Sequence, residues 1–480
     1  MLWPGSQDIV LGTTAPPFPY PQFRLSPADQ DHHATIWGRT GSGKSRLLES
    51  IFLQHLNKGH GVGLIEPHHD LSYSTLTYLI SKGFFHDELA FDRLVYVDWA
   101  AGYVPFNVLA GDGDPHDIAL LALEAMMRVW PELTEAPLFQ TLFLSSLLAL
   151  IQNHLPITYL HEFLASKDFR AACLENVDDP LVQQQMELFE KLGRDQVGAA
   201  GSTLRRAFLL SYSPAARLTL GQSENWLNFR AWMDAGISVI INLGNINDNE
   251  TRKLIGAMIL VQIEQVALSR KNLPPTSRRP WTLLIDEWPS FAAQERTIGT
   301  VLSQCRKFGL RLYLAAQSIS QVGSERLSGA LENCRLSIVF GLGRDSAALQ
   351  ARHIGKVDPF LLKEEALTPT QHGQYMPVIE QFEAWTQEVQ NLSPRMAYVK
   401  LHDAEAVKIK TLSVPDTGVP AAEVERVLTT YRQRYQRTKE EAEAAISKLA
   451  LPHEAQAAPP AYTTLFQRGK NSDQPETLPN

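Results

Sequence analysis

The run that most constrains this chain is Gly38-Arg39-Thr40-Gly41-Ser42-Gly43-Lys44-Ser45, which matches G-x-x-x-x-G-K-[ST] at every position. Its glycines let backbone N–H groups close around phosphate oxygens without Cβ atoms in the way. Lys44 supplies a positive charge for the β- and γ-phosphates, and the Ser45 hydroxyl is a ligand for Mg²⁺. A strand pattern at Ala34–Trp37 precedes the loop, and a helix pattern at Ser45–Lys58 follows it. The helix N-terminus then faces the phosphates. The sequence therefore predicts a site for ATP and Mg²⁺ rather than an ordinary Gly-rich turn.

A second apolar strand pattern, Trp281–Ile285, is followed directly by the carboxylates Asp286 and Glu287. In an ATPase with a phosphate loop, the first carboxylate holds the Mg²⁺ shell and the second polarises the attacking water. We assign Asp286, together with Ser45, to the metal and Glu287 to catalysis. Acidic pairs are common at strand ends, so this interpretation depends on the phosphate loop earlier in the chain. The adjacent glutamate favours an ATPase over a GTPase or a small-molecule kinase.

Strand and helix patterns alternate on both sides of a long segment in which only helical spacing is found. The alternation predicts a parallel α/β core, and the long segment predicts a mostly helical insertion. One charged amphipathic helix is expected at Val424–Leu449. The predicted units are an N-terminal arm with room for one short strand (1–33), the ATPase core (34–113 and 233–412), an inserted all-α domain (114–232), a C-terminal helix (413–451) and a disordered tail (452–480).

Charge limits the kind of partner that the chain can bind. The chain has 44 Lys and Arg against 52 Asp and Glu, which gives 44 − 52 = −8. Proteins that coat themselves with DNA are usually basic, so a broad nucleic-acid surface is not expected. A narrow basic channel is compatible with this balance, because local fields depend on where the charges lie. Arg205-Arg206 and Arg278-Arg279 either face DNA or lie on solvated surface.

Cysteine usage and hydropathy favour a reducing, aqueous environment. Cys173, Cys305 and Cys334 are scattered, which argues against a zinc site or a disulfide framework. The longest apolar run, Leu138–Ile151, is interrupted by polar residues and is shorter than the roughly 20 residues of a spanning helix. The N-terminus has no signal-peptide pattern. We therefore expect a cytoplasmic protein without a membrane span.

Several further segments resemble the HerA/FtsK superfamily of hexameric DNA-pumping ATPases, and within it the TraD-like type IV coupling proteins. Leu64–Leu71 is similar to the family's D-P-H-G-D-L segment, with Glu66 in place of the usual Asp and His69 in place of Gly. The other matching segments are Ile285–Phe291 (DE-[FW]-x-x-F), Ser303–Leu310 (x-x-x-R-K-x-G-L), Leu314–Gln321 (h-x-Q-S-x-x-Q) and Asn333 before the last core strand. The resemblance extends from about residue 32 to about residue 450.

This resemblance implies a RecA-like P-loop core, a mostly parallel sheet flanked by helices, with an all-α domain inserted into it. It also implies that Arg306 reaches the ATP of a neighbouring subunit and that Gln317 senses the γ-phosphate. A guanidinium in that position stabilises the charge of the transition state. The alternatives are a surface arginine on an amphipathic helix and a polar strand cap. His68, Asp70 and Arg344 are weaker candidates for residues near the nucleotide.

The activity implied by the resemblance is ATP-driven translocation of DNA through a homo-hexameric ring during conjugative transfer. Relaxase and secretion-channel proteins are the implied partners. Membrane-bound coupling proteins carry N-terminal spanning helices that this sequence lacks, so any docking at the inner membrane is expected to use a separate partner. An ATPase that powers protein secretion or assembly, a HerA-like repair or defence motor, and a nucleotide-gated binding module remain alternatives.

Overall fold

The computed structural model describes residues 7–14, 21–111, 113–135, 137–191, 205–292, 302, 304–319, 331, 334–363 and 374–451. The strands are β1 (Ile9–Thr14), β2 (Gln22–Leu25), β3 (Ala34–Trp37), β4 (Gly61–Glu66), β5 (Leu94–Val97), β6 (Ser238–Asn242), β7 (Trp281–Ile285), β8 (Leu310–Ala316), β9 (Leu336–Val339), β10 (Met396–Leu401) and β11 (Val407–Thr411). The helices before β6 are α1 (Pro27–Gln30), α2 (Lys44–Asn57), α3 (Asp70–Ser81), α4 (Ala90–Arg93), α5 (Pro115–Val129), α6 (Pro137–Gln152), α7 (Leu160–Ala165), α8 (Lys167–Leu174), α9 (Pro180–Glu190), α10 (Pro214–Leu220) and α11 (Phe229–Ala235). Those after β6 are α12 (Asn249–Ser269), α13 (Pro289–Ala292), α14 (Arg344–Ile354), α15 (Val378–Gln390), α16 (Ala421–Tyr435) and α17 (Lys439–Ser447).

All described strands join one sheet in the order β2-β1-β11-β10-β9-β3-β8-β7-β4-β6-β5. The seven strands from β9 to β5 are parallel, and the four strands from β10 to β2 are antiparallel to their neighbours. We call the side at which the parallel strands end the carboxyl edge and the side at which they begin the amino edge. The predicted mostly parallel P-loop core is confirmed.

The position of β3 decides which loops meet at the carboxyl edge. It lies between β8 and β9, with Trp37 opposite both Ala316 and Val339. The next strand outward from β8 is β7, whose Ile285 is opposite Leu314. Neighbouring strands are about 4.8 Å apart. The segments that follow β3, β7 and β8 are therefore held within a few strand spacings of one another.

Helices cover both faces of the sheet. On one face, α2 and α3 bury residues such as Phe52 and Leu76 in a cluster with Ile36 and Leu64. On the other face, α12 shares one hydrophobic cluster with Ile65 of β4 and Ile285 of β7, and it packs against α5, α10 and α11. The described residues between β5 and β6 form α5 to α11 and a further helical stretch at 205–212, with no strand among them.

The inserted helices are joined to the core by buried contacts. Arg128 on α5 donates to Glu264 on α12 over 2.7 Å, and both side chains are almost fully buried. Burial raises the pKa of Glu264 to about 7, against the opposing effect of Arg128. A single hydrophobic cluster contains both the strand residue Ile65 and the insertion residue Phe143. The insertion therefore shares its core with the sheet.

Two segments differ from the sequence expectation. The arm at 1–33 contributes two strands, one more than expected, because β1 pairs with both β2 and β11 and buries Val10 and Leu11. The helix expected at Val424–Leu449 is two helices, α16 and α17. A capping box makes the boundary: the Thr438 hydroxyl accepts from the Glu441 N–H, and the Glu441 carboxylate accepts from the Thr438 N–H.

Arg437 lies between α16 and α17 and contacts residues outside both helices. Its backbone pairs in both directions with Tyr103, at N–O distances of 2.9 and 2.8 Å. Its guanidinium donates to Gln222 and Glu224 of the insertion and lies over the Trp226 ring. Continuing one helix through this position would remove these contacts.

Some predicted features fall outside the described residues. These are Ser303, Gln321, Asn333 and the tail at 452–480. Within the matching segment Ser303–Leu310, Cys305–Phe308 forms a 3-10 turn. Among the described helices, none combines the length and the apolar character needed to cross a membrane.

Arg270 offers a test of the packing at the amino edge. Its side chain is fully buried, donates to the carbonyl oxygens of Phe308 and Arg279 over 2.9 and 2.7 Å, and pairs with Asp234 at 3.0 Å. We expect Arg270→Met to lower the free energy of unfolding by about 3 kcal/mol, because the variant leaves two carbonyls without this donor and removes one of the two cations that pair with Asp234. The measurement is the urea midpoint of the variant.

The matched control is Arg230→Met, which removes the other, largely exposed partner of Asp234. It should cost at most about 1 kcal/mol. Equal midpoints for the two variants would contradict a structural role for the buried guanidinium.

Candidate active site

The phosphate loop joins β3 to the 14-residue helix α2. Gly41 and Gly43 have φ values of +77° and +111°, in the left-handed region that favours glycine. A Cβ at Gly38 would lie 2.6 Å from Ser42 Oγ and 2.7 Å from Phe340 Cβ, so no side chain fits there. Lys44 Nζ turns back over the loop and donates to the Gly38 carbonyl over 2.5 Å.

The electrostatics of the loop fit an anionic ligand. Burial lowers the pKa of Lys44, while the nearby Asp286 and Glu287 carboxylates raise it. The Ser42 hydroxyl is buried and has no hydrogen-bond partner among the described residues. Buried polar groups in native proteins are nearly always paired, so this hydroxyl is available to a bound group. The residues present therefore fit a phosphate chain.

Neighbouring strands hold the loop in place. The Gly38 N–H donates to Ala316 O over 3.2 Å, and the Arg39 N–H donates to Gly341 O over 2.9 Å. From the antiparallel side of the sheet, the Arg395 N–H donates to Ser42 O over 2.8 Å. Arg395 has φ +68°, and a Cβ at Gly43 would lie 3.3 Å from its Cα. Sequence reasoning missed Arg395, because no motif marks the residue that precedes β10.

The acidic pair lies directly beside the loop. Ser45 Oγ donates to Asp286 Oδ2 over 3.1 Å, as the shared metal assignment requires. The Asp286 N–H donates to Ile65 O over 3.0 Å, which fixes the end of β7 against β4. Burial raises the pKa of Asp286, and Lys44 and the Ser45 hydroxyl oppose that shift. A hydroxyl paired with a carboxylate is a suitable oxygen set for Mg²⁺.

Glu287 is held in an unusual backbone conformation. Its φ is +48°, which is uncommon for a residue other than glycine and is often found at functional sites. Its N–H donates to Asp286 Oδ1 over 3.1 Å. Burial raises the pKa of Glu287, while a hydrogen bond from the Gln317 side chain and the charge of Lys44 lower it. A buried carboxylate with a raised pKa is suited to accept a proton.

Gln317 connects the loop to the acidic pair. It follows β8, the strand between β3 and β7. Its Oε1 accepts from Thr40 Oγ1 over 3.1 Å, and its side chain also hydrogen-bonds Glu287. The structure therefore brings Lys44, Ser45, Asp286, Glu287 and Gln317 together at the carboxyl edge.

Arg306 lies elsewhere. It belongs to the Cys305–Phe308 turn that leads into β8, so it is at the amino edge. The seven residues of β8 separate it from Gln317, a span of about 20 Å at the usual rise of a strand. Its exposed guanidinium Nη1 is 2.8 Å from His32 Nδ1. Arg306 is therefore remote from the phosphate loop of its own chain.

His68, Asp70 and Arg344, the weaker candidates for residues near the nucleotide, differ in their surroundings. His68 is close enough to lower the pKa values of Asp286 and Glu287 by its charge. Asp70 is the exposed first residue of α3, and Arg344 pairs with Glu383 at 2.9 Å. Glu66, which replaces the usual aspartate, accepts from the Leu71 and Ser72 N–H groups and so caps α3.

Of the two basic pairs, Arg206, Arg278 and Arg279 are engaged within the chain, and Arg205 is exposed. Arg278 donates to the carbonyls of Arg270, Leu273, Lys307 and Lys271, and Arg279 donates to those of Ala235 and Gly59. Arg206 pairs with Glu132. The side chains of Arg278 and Arg279 therefore hydrogen-bond backbone carbonyls at the amino edge of the sheet.

Comparison with known proteins agrees with this geometry. Residues 148–336 match the family model described as type IV secretory system conjugative DNA transfer. This segment is similar to the conjugative DNA transfer family, and the match covers less than half of the 480 residues. It contains Asp286, Glu287, Arg306 and Gln317, and the resemblance to coupling ATPases seen in the sequence is confirmed. No curated protein sequence matches the chain.

Solved structures show the same fold. The bacterial conjugative coupling protein TrwBdeltaN70, in an unbound form, superposes with a TM-score of 0.60 at 17% identity, covering 83% of this chain and 89% of that one. TrwB in complex with ADP and Mg²⁺ gives 0.59 at 18% identity with the same coverage. VirB4 of Thermoanaerobacter pseudethanolicus gives 0.52 at 12% identity, covering 86% and 98%. At these identities the likeness establishes the fold, including the RecA-like core.

Lys44→Ala tests the phosphate-site assignment. Removing the ammonium should lower ATP turnover about 100-fold or more and weaken ATP binding, because Lys44 Nζ lies over the phosphate loop, where it would offset the phosphate charge. The measurements are steady-state hydrolysis and equilibrium titration with a fluorescent ATP analogue. Lys82→Ala, on the exposed end of α3, is the control and should behave as wild type. Normal turnover by Lys44→Ala would refute the assignment.

Glu287→Gln tests the catalytic carboxylate. It should keep ATP binding and lower turnover by about 100-fold or more, because the amide cannot accept the proton. The folded-state pKa of Glu287 is raised, so the reactive carboxylate is lost as pH falls through that raised pKa, above the usual range of a glutamate. Wild-type kcat should therefore decline on the acidic side, and the residual kcat of Glu287→Gln should lose the part of that decline that Glu287 causes. A variant that keeps wild-type turnover would exclude Glu287 as the base.

Proposed function

We propose that this chain is a Mg²⁺-dependent ATPase that moves DNA, of the type IV coupling protein kind. The observation that carries the proposal is the convergence of Lys44, Ser45, Asp286 and Glu287, with Ser45 Oγ 3.1 Å from Asp286 Oδ2. Asp286 and Glu287 lie in the segment that matches the conjugative DNA transfer family model. ATP and Mg²⁺ are the proposed ligands, and TrwB has been solved with ADP and Mg²⁺ and with the ATP analogue ADPNP.

Each residue of the site has a proposed role. Lys44 and the backbone of the glycine loop bind the phosphates, and Ser45 with Asp286 would hold Mg²⁺. The metal, when bound, offsets phosphate charge. Glu287 orients the attacking water and takes its proton. Gln317 is hydrogen-bonded to both Thr40 and Glu287, so it can report the state of the phosphate loop to the base.

The separation of Arg306 from the other site residues supports a multi-subunit enzyme. A site at the carboxyl edge of one copy can receive an arginine from the amino edge of another copy. A closed homo-hexameric ring is the arrangement we propose, with DNA in its channel. Contacts to the DNA backbone would supply affinity without sequence readout. A cytoplasmic location, with a relaxase and a secretion channel as partners, belongs to the same proposal.

One observation favours a different cargo. The chain has a net charge of −8, and Arg278 and Arg279 donate to internal carbonyls. An ATPase that powers protein secretion or assembly would have no need of a basic surface. A HerA-like repair or defence motor shares the DNA requirement and differs only in its pathway.

ATP hydrolysis with and without DNA separates these functions. We expect single- or double-stranded DNA to raise kcat severalfold and the effect to weaken as salt rises, because phosphate contacts release counterions. Glu287→Gln, assayed in parallel, controls for contaminating ATPases. Turnover that is identical with and without either form of DNA would favour the protein-secretion alternative.

Arg306→Ala tests the contact between subunits. The variant should bind ATP as wild type does, because Arg306 is remote from its own phosphate loop, and its turnover should fall about 1000-fold. Mixed with wild-type protein, it should depress activity more than in proportion to its share. Lys307→Ala, at the next position of the same turn, is the control. A strictly proportional loss on mixing would contradict the contact in trans.

A further inference from the structure

Three loops meet around Arg306 at the amino edge. His32 precedes β3, His402 follows β10, and the Cys305–Phe308 turn precedes β8. Arg306 Nη1 lies 2.8 Å from His32 Nδ1, and the His32 and His402 rings pack edge to face with centroids 4.6 Å apart. The arginine is thus held by an imidazole that is itself packed against a second imidazole.

The sheet fixes this arrangement. β3 is hydrogen-bonded to both β8 and β9, so the residues before β3 lie beside the turn that carries Arg306. The His402 N–H donates to Arg335 O over 2.7 Å, which fixes His402 at the start of β9. His33, next to His32, is buried, and its Nδ1 accepts from the Leu312 N–H of β8 over 2.9 Å. These contacts therefore hold His32 beside the sheet, while Arg306 is exposed.

The hydrogen-bond acceptor of Arg306 is a neutral imidazole, that of His32, which is unusual because it carries no negative charge. Arginines at protein surfaces commonly pair with carboxylates, and such a partner would offset the charge needed at a phosphate. The carboxylate beside His32 is Asp31, which is paired with Arg311 at 3.1 Å. A neutral imidazole nitrogen can fix the direction of the guanidinium and leave its full positive charge for an anion.

Several groups keep His32 in its neutral, accepting form. Burial, followed by the charges of His402, Arg306 and Arg335, lowers the pKa of His32, and Asp31 opposes them. His33 is the remaining titratable neighbour, and burial lowers its pKa to about 4. Protonated His32 would lose its acceptor nitrogen and repel Arg306. Because the pKa is lowered, the accepting form persists at neutral pH and is lost only on acidification.

We propose that His32, supported by His402, is the positioning residue for Arg306 and presents its guanidinium to the ATP site of a neighbouring copy. This inference rests on the proposed function, in which Arg306 acts in trans. A side chain held in advance loses less conformational freedom when it engages its target. His32 should therefore affect the rate of hydrolysis and leave ATP binding unchanged.

The test compares His32→Ala, His32→Asn and the double variant His32→Ala/Arg306→Ala in the full-length protein. His32→Ala should lower kcat for DNA-stimulated hydrolysis by about three- to tenfold, with KM for ATP unchanged. His32→Asn retains a side-chain acceptor that does not titrate, so it should restore kcat at pH 8. It should also lose the part of the acidic decline that His32 causes in wild type. His60→Ala, a histidine at the same edge that contacts Gln7, is the matched control.

The double variant separates positioning from a general loss of structure. If His32 acts through Arg306, its removal should have no further effect once Arg306 is absent. A further fall in the double variant, or a wild-type kcat and pH profile for His32→Ala, would overturn the proposal. If His32→Ala does not fold, the pH profile of His32→Asn decides alone, and an unchanged acidic decline would count against the proposal. Failure of the proposed function is distinguishable, because then Arg306→Ala itself would hydrolyse ATP normally.

Discussion

The hydrogen bond between Ser45 Oγ and Asp286 Oδ2 is the contact on which the site depends. These residues are 241 positions apart. Ser45 lies in the first turn of the helix after β3, Asp286 directly follows β7, and these two strands are not direct neighbours. The contact forms because β8 lies between them in a parallel sheet, so all three strands end at one edge. Ligands of open α/β sheets commonly bind at that edge. The same geometry places Gln317, at the end of β8, between the phosphate loop and the acidic pair.

The sheet also divides the proposed catalytic groups between two edges. Lys44, Ser45, Asp286, Glu287 and Gln317 follow strands or begin the helix after one, and Arg306 precedes a strand. A parallel strand cannot bring the residues at its two ends to one point, so this division follows from topology alone. This topology favours a site that is completed by Arg306 of another copy. In that arrangement the residues that contact Arg306, including His32, would affect the rate of ATP hydrolysis.

Local patterns in the sequence predicted the parts of the molecule that local chemistry determines. The loop at Gly38–Ser45, the strand before Asp286 and the helical insertion are each marked by residues adjacent in the chain. The pairing of β10 and β11, and with it the support that Arg395 gives to Ser42, depends on contacts between distant segments. The sequence does contain a signal for the break between α16 and α17, because Thr438 and Glu441 have the spacing of a capping box. The charged pattern continues across this position, so it predicted one helix. The location of Arg306 relative to its own site could not be read from a motif, because it requires the direction of β8.

The most direct test is a cryo-EM structure of Glu287→Gln protein with ATP, Mg²⁺ and DNA. We expect closed rings in which the ATP phosphates contact Lys44 of one copy. Arg306 of the partner subunit should approach the same phosphates from the amino edge of its own sheet, and DNA should lie within the ring. A structure in which ATP is bound and Arg306 faces solvent, or in which copies meet through other surfaces, would contradict the account of a site shared between subunits.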